Sequence, residues 1–168
     1  QERYPDITIC VPQTLVITTE GFDAFVSHNN LDPSAMARQS DDEIAAAFVQ
    51  ADMPPLFEDQ LCRYLETVHH PLSIRSSGIL EDVHNHPFTG VYKTYMVPNT
   101  HAGFSMRCRQ LITAVKLVYA STWFRLPRTF LSGTAYHIRS DQMAVIIQRL
   151  VGSRHGAFFY PDISGIAQ

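Results

Sequence analysis

The chain has 168 residues, 45% hydrophobic and 17% charged, which suits one globular domain with a real core. Its net charge is −3 and no basic run exceeds two residues, which argues against nucleic acid as the main partner. No apolar run approaches the ~20 residues that span a bilayer, so no membrane partner is expected.

Ile7-Thr-Ile-Cys-Val11 alternates and ends at Pro12, the pattern of a strand. Leu15-Val-Ile17 is a second short apolar run. Thr19 then stands as the N-cap of a helix, with Glu20 in its first turn and Phe22, Phe25 and Val26 on one face. Ser40-Asp-Asp-Glu43 is a capping box that opens a helix over Ile44 to Val49, ended by Met53-Pro-Pro55. Leu56 to Val68 reads as an amphipathic helix with Leu56, Leu61, Tyr64, Leu65 and Val68 inward, closed by His69-His-Pro71.

Leu72-Ser-Ile74 starts a short strand, and Val91 to Val97 has the pattern of another, ended by Pro98. Between them the sequence reads as a polar loop held by buried flanks. Ser105 to Ser121 is the longest helix, with Cys108, Leu111, Ile112, Val115, Val118 and Tyr119 as its apolar stripe. Arg107, Arg109, Gln110 and Lys116 fall on its other faces, where solvation is the expected role. Met143 to Val151 is a near-continuous apolar run, read as a strand buried on both faces. A period of two puts Ala144, Ile146, Gln148 and Leu150 on one side and Met143, Val145, Ile147, Arg149 and Val151 on the other. Gln148 and Arg149 then need partners. Gly152 to Ile163 has the pattern of a hairpin around Phe158-Phe-Tyr160. The expected fold is α+β, with helices on one side of a mostly antiparallel sheet.

In the polar loop Arg75 offers a rigid donor fork suited to phosphate oxygens. Ser76 and Ser77 add neutral donors, and Gly90 lets backbone approach a ligand. The competing reading is a strand end with a solvated turn, its arginine paired to Glu81 or Asp82. Cys10, Cys62 and Cys108 are odd in number and fit reduced thiols of a cytoplasmic protein better than a disulfide framework. Gln1-Glu-Arg-Tyr-Pro-Asp6 has no signal-peptide core and no initiator methionine, so the expectation is a cytoplasmic chain that is a fragment of a longer one. His84-Asn-His86 with His101 is the nearest approach to a metal motif, but no third ligand has matching spacing, so no metal site is assigned.

Residues 74–95, Ile-Arg-Ser-Ser-Gly-Ile-Leu-Glu-Asp to Pro-Phe-Thr-Gly-Val-Tyr-Lys-Thr-Tyr, resemble a family signature. It is that of the phosphoenolpyruvate synthase and pyruvate phosphate dikinase nucleotide-binding domain, V-R-S-S-A-x-x-E-D-x-x-x-x-S-F-A-G-Q-x-E-T-x-L. Val11 to Phe25 is similar to the family's V-P-P-G-F-V-I-T-T-E-A-Y-x-x-F, with Gln13-Thr14 in place of Pro-Gly. Tyr119 to Arg128 resembles the helix that leads to W-A-S-L-F-x-x-R-A. Arg128 matches that arginine with one extra residue in the connection, and Arg125 is the competing match. Val145 to Val151 resembles V-x-V-Q-R-M-V, and Ser164-Gly-Ile166 the start of S-G-V-M-F.

The resemblance implies an ATP-grasp nucleotide-binding module, or the N-terminal part of one, within a larger multidomain enzyme. Such a module holds ATP with Mg2+ and passes a phosphoryl group to a histidine on a separate domain, which delivers it to pyruvate at a third. Carried over residue by residue, Arg75 and Arg128 neutralise phosphate as the catalytic pair. Ser76, Gly90, Val91, Tyr92 and Thr94 line the phosphates, and Gln148 and Leu150 lie along the adenine. Glu81 and Asp82 order the loop through ion pairs. Lys93 departs from the pattern, replacing an acid. The family's upstream glycine-rich lysine segment and downstream G-L-G-E segment are not in the sequence. Magnesium ligands are therefore expected outside this chain, and the chain alone is expected to be catalytically incomplete. The alternative is a non-catalytic nucleotide-binding or regulatory module derived from the family. None of the eight histidines lies in a phosphocarrier motif.

Overall fold

The computed structural model describes residues 10–78, 90–132 and 142–165, with residues 130–132 described by backbone alone. The expected strand at Ile7 to Val11 lies mostly outside these residues, and Cys10 and Val11 are not in a strand. Leu15-Val-Ile17 forms β1, Thr14–Ile17. The helix after it, α1 (Thr19–His28), begins one residue earlier than expected, with Thr18 at the cap. A short α2, Pro33–Met36, follows, capped by the Asp32 carboxylate on the Ser34 N–H at 2.9 Å. The capping box forms as expected: Ser40 Oγ accepts from the Glu43 N–H, Glu43 accepts from the Ser40 N–H, and α3 runs Asp41–Gln50. The hydrogen bonds from Ser40 hold the Glu43 carboxyl below its ordinary pKa.

Pro54 and Pro55 end one helix and start the next, α4 (Pro55–Thr67), where a missing N–H costs nothing. Leu61 and Leu65 are buried as expected, but Leu56 is 64% exposed, because Phe57 takes the core-facing place in that first turn. Then come β2 (Leu72–Gly78), β3 (Tyr95–Val97), α5 (Phe104–Ser121), α6 (Arg125–Ser132), β4 (Met143–Arg149), β5 (Ser153–His155) and β6 (Phe158–Tyr160). Two expectations are corrected here. Strand β2 runs through Gly78, so Arg75 to Ser77 are strand residues and not loop. Strand β3 covers only Tyr95–Val97, with residues 90–94 outside any strand.

The main sheet has the order β1-β4-β2-β3 and every pairing in it is antiparallel; β5 and β6 form a separate hairpin. The most apolar strand, β4, takes a central place. Only one of its faces is fully buried: Met143, Val145 and Ile147 are at 0% exposure, while Ala144, Ile146 and Gln148 are half-buried. The expectation of burial on both sides is therefore corrected. Helices α1 and α5 pack on the buried side, and no helix among the described residues packs on the other.

Aromatic rings tie the helices together. Phe48 meets Trp123 edge-on at 5.0 Å, Phe22 meets Tyr119 at 5.2 Å, and Phe25 lies 5.7 Å from Phe48. Three cations on α5 and α6 finish the ends of the three preceding helices. Arg107 Nη1 donates to the carbonyl of Val68, the C-cap of α4. Lys116 Nζ donates to the carbonyl of Ala51, the C-cap of α3. Arg128 Nη1 donates to the carbonyl of Ala37, the C-cap of α2. Each places positive charge where unpaired carbonyls and the helix dipole favour it. Arg107, expected on a solvated face, is consequently 92% buried.

Candidate functional site

Strand alternation decides which side chains share the open face. Arg75 pairs with Ile146, Ser73 with Gln148 and Met96, and Ser77 with Ala144. On β1, Thr14 and Val16 pair with Gln148 and Ile146. The open face thus carries Arg75, Ser77, Ser73, Gln148, Ile146, Thr14, Val16 and Met96. Val16 and Met96 are 52% and 59% exposed, so no helix among the described residues covers them.

Arg75 is exposed, and its guanidinium makes no ion pair among the described residues. The competing partners Glu81 and Asp82 lie outside the described residues. Thr94 is exposed and directly precedes Tyr95, which pairs with Ile74, the residue before Arg75. Gln148 donates from Nε2 to Thr14 Oγ1 at 3.0 Å, which fixes its amide over the sheet. Ser76 is on the opposite side: it pairs with Val145, a core residue, so its side chain does not join Arg75. Ser77 is the serine on the arginine's side.

The segment from Gly90 to Thr94 is pinned from below. Gly90 has φ +83, a left-handed conformation suited to glycine, and nothing lies within 4 Å of where its Cβ would be. Val91 and Tyr92 are buried. The Tyr92 ring lies under β2, its Cε2 3.2 Å from the position of a Cβ on Gly78. The Lys93 N–H donates to Ser121 Oγ at 3.2 Å, and that hydroxyl donates to the Val118 carbonyl at 2.7 Å. Buried anchors therefore present Lys93 and Thr94 to solvent.

At the other end of the same face lies a cleft of about 470 Å3, lined by Pro71, Met96, Val97, Leu150, Phe158 and Phe159, with Arg154 and Thr100 at its edge. Its size and apolar lining suit a small organic ligand. Leu150 is held there by its N–H, which donates to the Pro71 carbonyl at 2.9 Å. The β5–β6 hairpin makes the far wall. Gly152 permits this approach: a Cβ there would sit 2.6 Å from the Tyr160 carbonyl carbon. His155 stacks on Tyr160 with centroids 4.0 Å apart and stiffens the hairpin. Met96 lies one strand across and two residues along from Arg75, so the two Cα atoms are roughly 8 Å apart on the sheet.

Arg128 stands elsewhere. Its Nη1 and Nη2 donate to carbonyls of Met36, Ala37 and Gln39, at the end of α2. Those donors are committed to the backbone rather than aimed at the open face. Arg125 is exposed on the same helix, and its N–H donates to Asp41 Oδ1 at 2.7 Å. Among the described residues, no group of three His, Cys, Asp or Glu side chains is placed to hold a metal ion. His101 Nδ1 instead accepts from the Gly103 N–H at 2.9 Å, and His84 and His86 lie outside the described residues. Among the described residues, no helix is long and apolar enough to cross a membrane. The hairpin aromatics, Met96 and Ser121 were not singled out as site residues in the sequence. The aromatic triplet Phe158-Phe-Tyr160 was the one available signal for the cleft.

The family model described as the pyruvate phosphate dikinase AMP/ATP-binding domain matches residues 2–168. A comparison with curated proteins gives no match.

Proposed function

The chain belongs to the pyruvate phosphate dikinase AMP/ATP-binding domain family, and on that premise we propose that its open sheet face binds ATP. The observation that carries this reading is the position of Arg75: an exposed guanidinium, without an ion-pair partner among the described residues, on the same face as an apolar cleft. The base takes the cleft beside Leu150, with Gln148 at its rim. The phosphates run along β2 to Arg75, where a planar donor fork meets two phosphate oxygens. The Thr94 hydroxyl and the backbone around Gly90, Val91 and Tyr92 close the phosphate end. Ser76 contributes through its backbone, since its side chain faces the core. Of the two candidate second arginines, Arg125 has its side chain open to solvent, while Arg128 is engaged with α2.

In the parent enzyme such a module serves phosphoryl transfer to a histidine of another domain and onward to pyruvate. The contribution of these residues is positioning and neutralisation of charge. Magnesium would supply further neutralisation of phosphate charge, and among the described residues no group of three His, Cys, Asp or Glu side chains is placed to hold it. The test is calorimetric titration of the chain with ATP, followed by Arg75→Ala. Binding that weakens roughly tenfold in the variant, with an unchanged melting temperature, supports the site. Equal affinity for both proteins would remove Arg75 from it. ATP binding without phosphoryl transfer, in a parent that contains every partner domain, would favour a regulatory module.

A further inference from the structure

We infer that Thr14 sets the base specificity of the site: its hydroxyl fixes which way the Gln148 amide points, and so selects an amino purine over an oxo purine. The inference rests on the nucleotide-binding reading and adds to it the group that reads the base. Thr14 is a positioning residue, acting through Gln148. The two stand directly opposite one another across β1 and β4. Thr14 Oγ1 donates to the Pro12 carbonyl at 2.8 Å, and Gln148 Nε2 donates to Thr14 Oγ1 at 3.0 Å. Each bond fixes the direction of the other. A hydroxyl has one proton, and the Pro12 carbonyl can only accept. The Thr14 proton therefore goes to Pro12, and its oxygen is left to accept from the amide. Only the NH2 end of Gln148 can donate that bond. What remains for a ligand is Oε1, an acceptor, with one further N–H beside it, in a fixed order.

Gln148 stands next to the cleft. It lies two residues before Leu150, which lines it. The bond from the Leu150 N–H to the Pro71 carbonyl continues the β2–β4 register, so Gln148 and Leu150 share one side of the strand. Their Cα atoms are roughly 6–7 Å apart. Gln148 is half-buried, and among the described residues nothing donates a hydrogen bond to its Oε1. Adenine carries an amino donor next to a ring acceptor, whereas an oxo purine carries an oxygen acceptor in place of the amino group. Oε1 accepts from the first and meets the lone pairs of the second. To turn its NH2 toward an oxo purine the amide gives up its bond to Thr14, and that loss sets the size of the preference. Thr14 stands where the family signature has glycine, so this relay is a property of the present chain.

The experiment is displacement of a fluorescent ATP analogue from the intact chain by ATP and, separately, by inosine triphosphate, for wild type, Thr14→Val and Thr14→Ser. Valine keeps the branched shape and the strand propensity but has no hydroxyl. Wild type is expected to bind ATP roughly tenfold tighter than inosine triphosphate. Thr14→Val should lose most of that preference, chiefly by binding inosine triphosphate better, and Thr14→Ser should keep it. A merely structural role would weaken both nucleotides alike and leave their ratio unchanged. The ratio does not depend on the folded fraction, so it stays readable if Thr14→Val is less stable. Equal binding of the two nucleotides by wild type, or a wild-type ratio in Thr14→Val, overturns the role of Thr14. Loss of the preference in Thr14→Ser overturns it too, since the hydroxyl is then not the group that acts. A wild-type chain that binds neither ATP nor the analogue overturns the nucleotide reading, and the role of Thr14 falls with it.

Discussion

Arg75 and Ile146 stand directly opposite one another across β2 and β4, on the sheet face that no helix among the described residues covers. A carboxylate placed at residue 146 would reach the guanidinium as a cross-strand ion pair. It would also repel phosphate. Ile146→Glu is therefore expected to weaken ATP binding several-fold at low ionic strength while leaving Arg75 in place. The deficit should fall as salt rises above physiological levels, because exposed charges are screened over roughly 8–10 Å. Titration at two salt concentrations measures it. A loss that does not change with salt would mean that the substitution disturbs packing instead.

Much of this face was legible before any coordinates. Alternation in Met143 to Arg149 correctly put Ala144, Ile146 and Gln148 on one side, and the capping box at Ser40 correctly opened α3. The extent of β2 was not legible, because Arg-Ser-Ser-Gly has loop composition. Those residues are strand because β4 pairs with all seven positions from Leu72 to Gly78. Tertiary pairing overrides local propensity there. The surroundings of Arg128 were not legible for a related reason: the family match gives its position, while its Nη1 and Nη2 donate to backbone carbonyls 89–92 residues away in sequence. The short helix α2 that supplies those carbonyls has four residues and no periodicity to read.

Gly21 lies in the first turn of α1, pressed against β1. A Cβ there would sit 2.4 Å from Ile17 Cγ2 and 3.2 Å from Tyr119 Oη. Neither side chain has room to retreat, since Ile17 and Tyr119 are 8% and 1% exposed. Gly21→Ala should destabilise the chain by about 1–3 kcal/mol despite the better helix propensity of alanine. Urea unfolding should show a lower midpoint with an unchanged slope. A midpoint at or above wild type would show that β1 and α1 separate freely, and that the packing described here is looser.

Arg107 and Arg109 are close neighbours on α5 with different fates. Arg107 Nη1 donates to the Val68 carbonyl at 3.1 Å and to Asn99 Oδ1 at 3.4 Å, while Asn99 Nδ2 also donates to the Val68 carbonyl, at 3.0 Å. Arg109 is exposed. Replacing each with methionine keeps helix propensity and length nearly constant. Arg107→Met should cost about 2 kcal/mol, since charged hydrogen bonds at the end of α4 are lost. Arg109→Met should stay within about 0.5 kcal/mol of wild type. Equal losses in denaturant unfolding would refute the capping role.

Cys62 on α4 and Cys108 on α5 are both free thiols. Burial, then the influence of the Cys108 thiol, pushes the Cys62 thiol from its ordinary value of 9.0 up to about 12. The folded chain therefore holds this proton more tightly than the unfolded chain does. Below pH 9.0 both states keep it and its contribution to stability is fully present. Between pH 9.0 and about 12 the unfolded state releases it first, so stability falls as pH rises. Cys62→Ala should flatten the decline over that window. The comparison is the difference in urea midpoint between variant and wild type at pH 8 and at pH 10.5, in which other titrating groups cancel. The same protonation predicts reactivity. At pH 8 iodoacetamide should modify the exposed Cys10 well before Cys62, because the thiolate is the nucleophile. Alkylation of Cys62 as fast as Cys10, read by peptide mass, would show that α4 does not shield it as the structure describes.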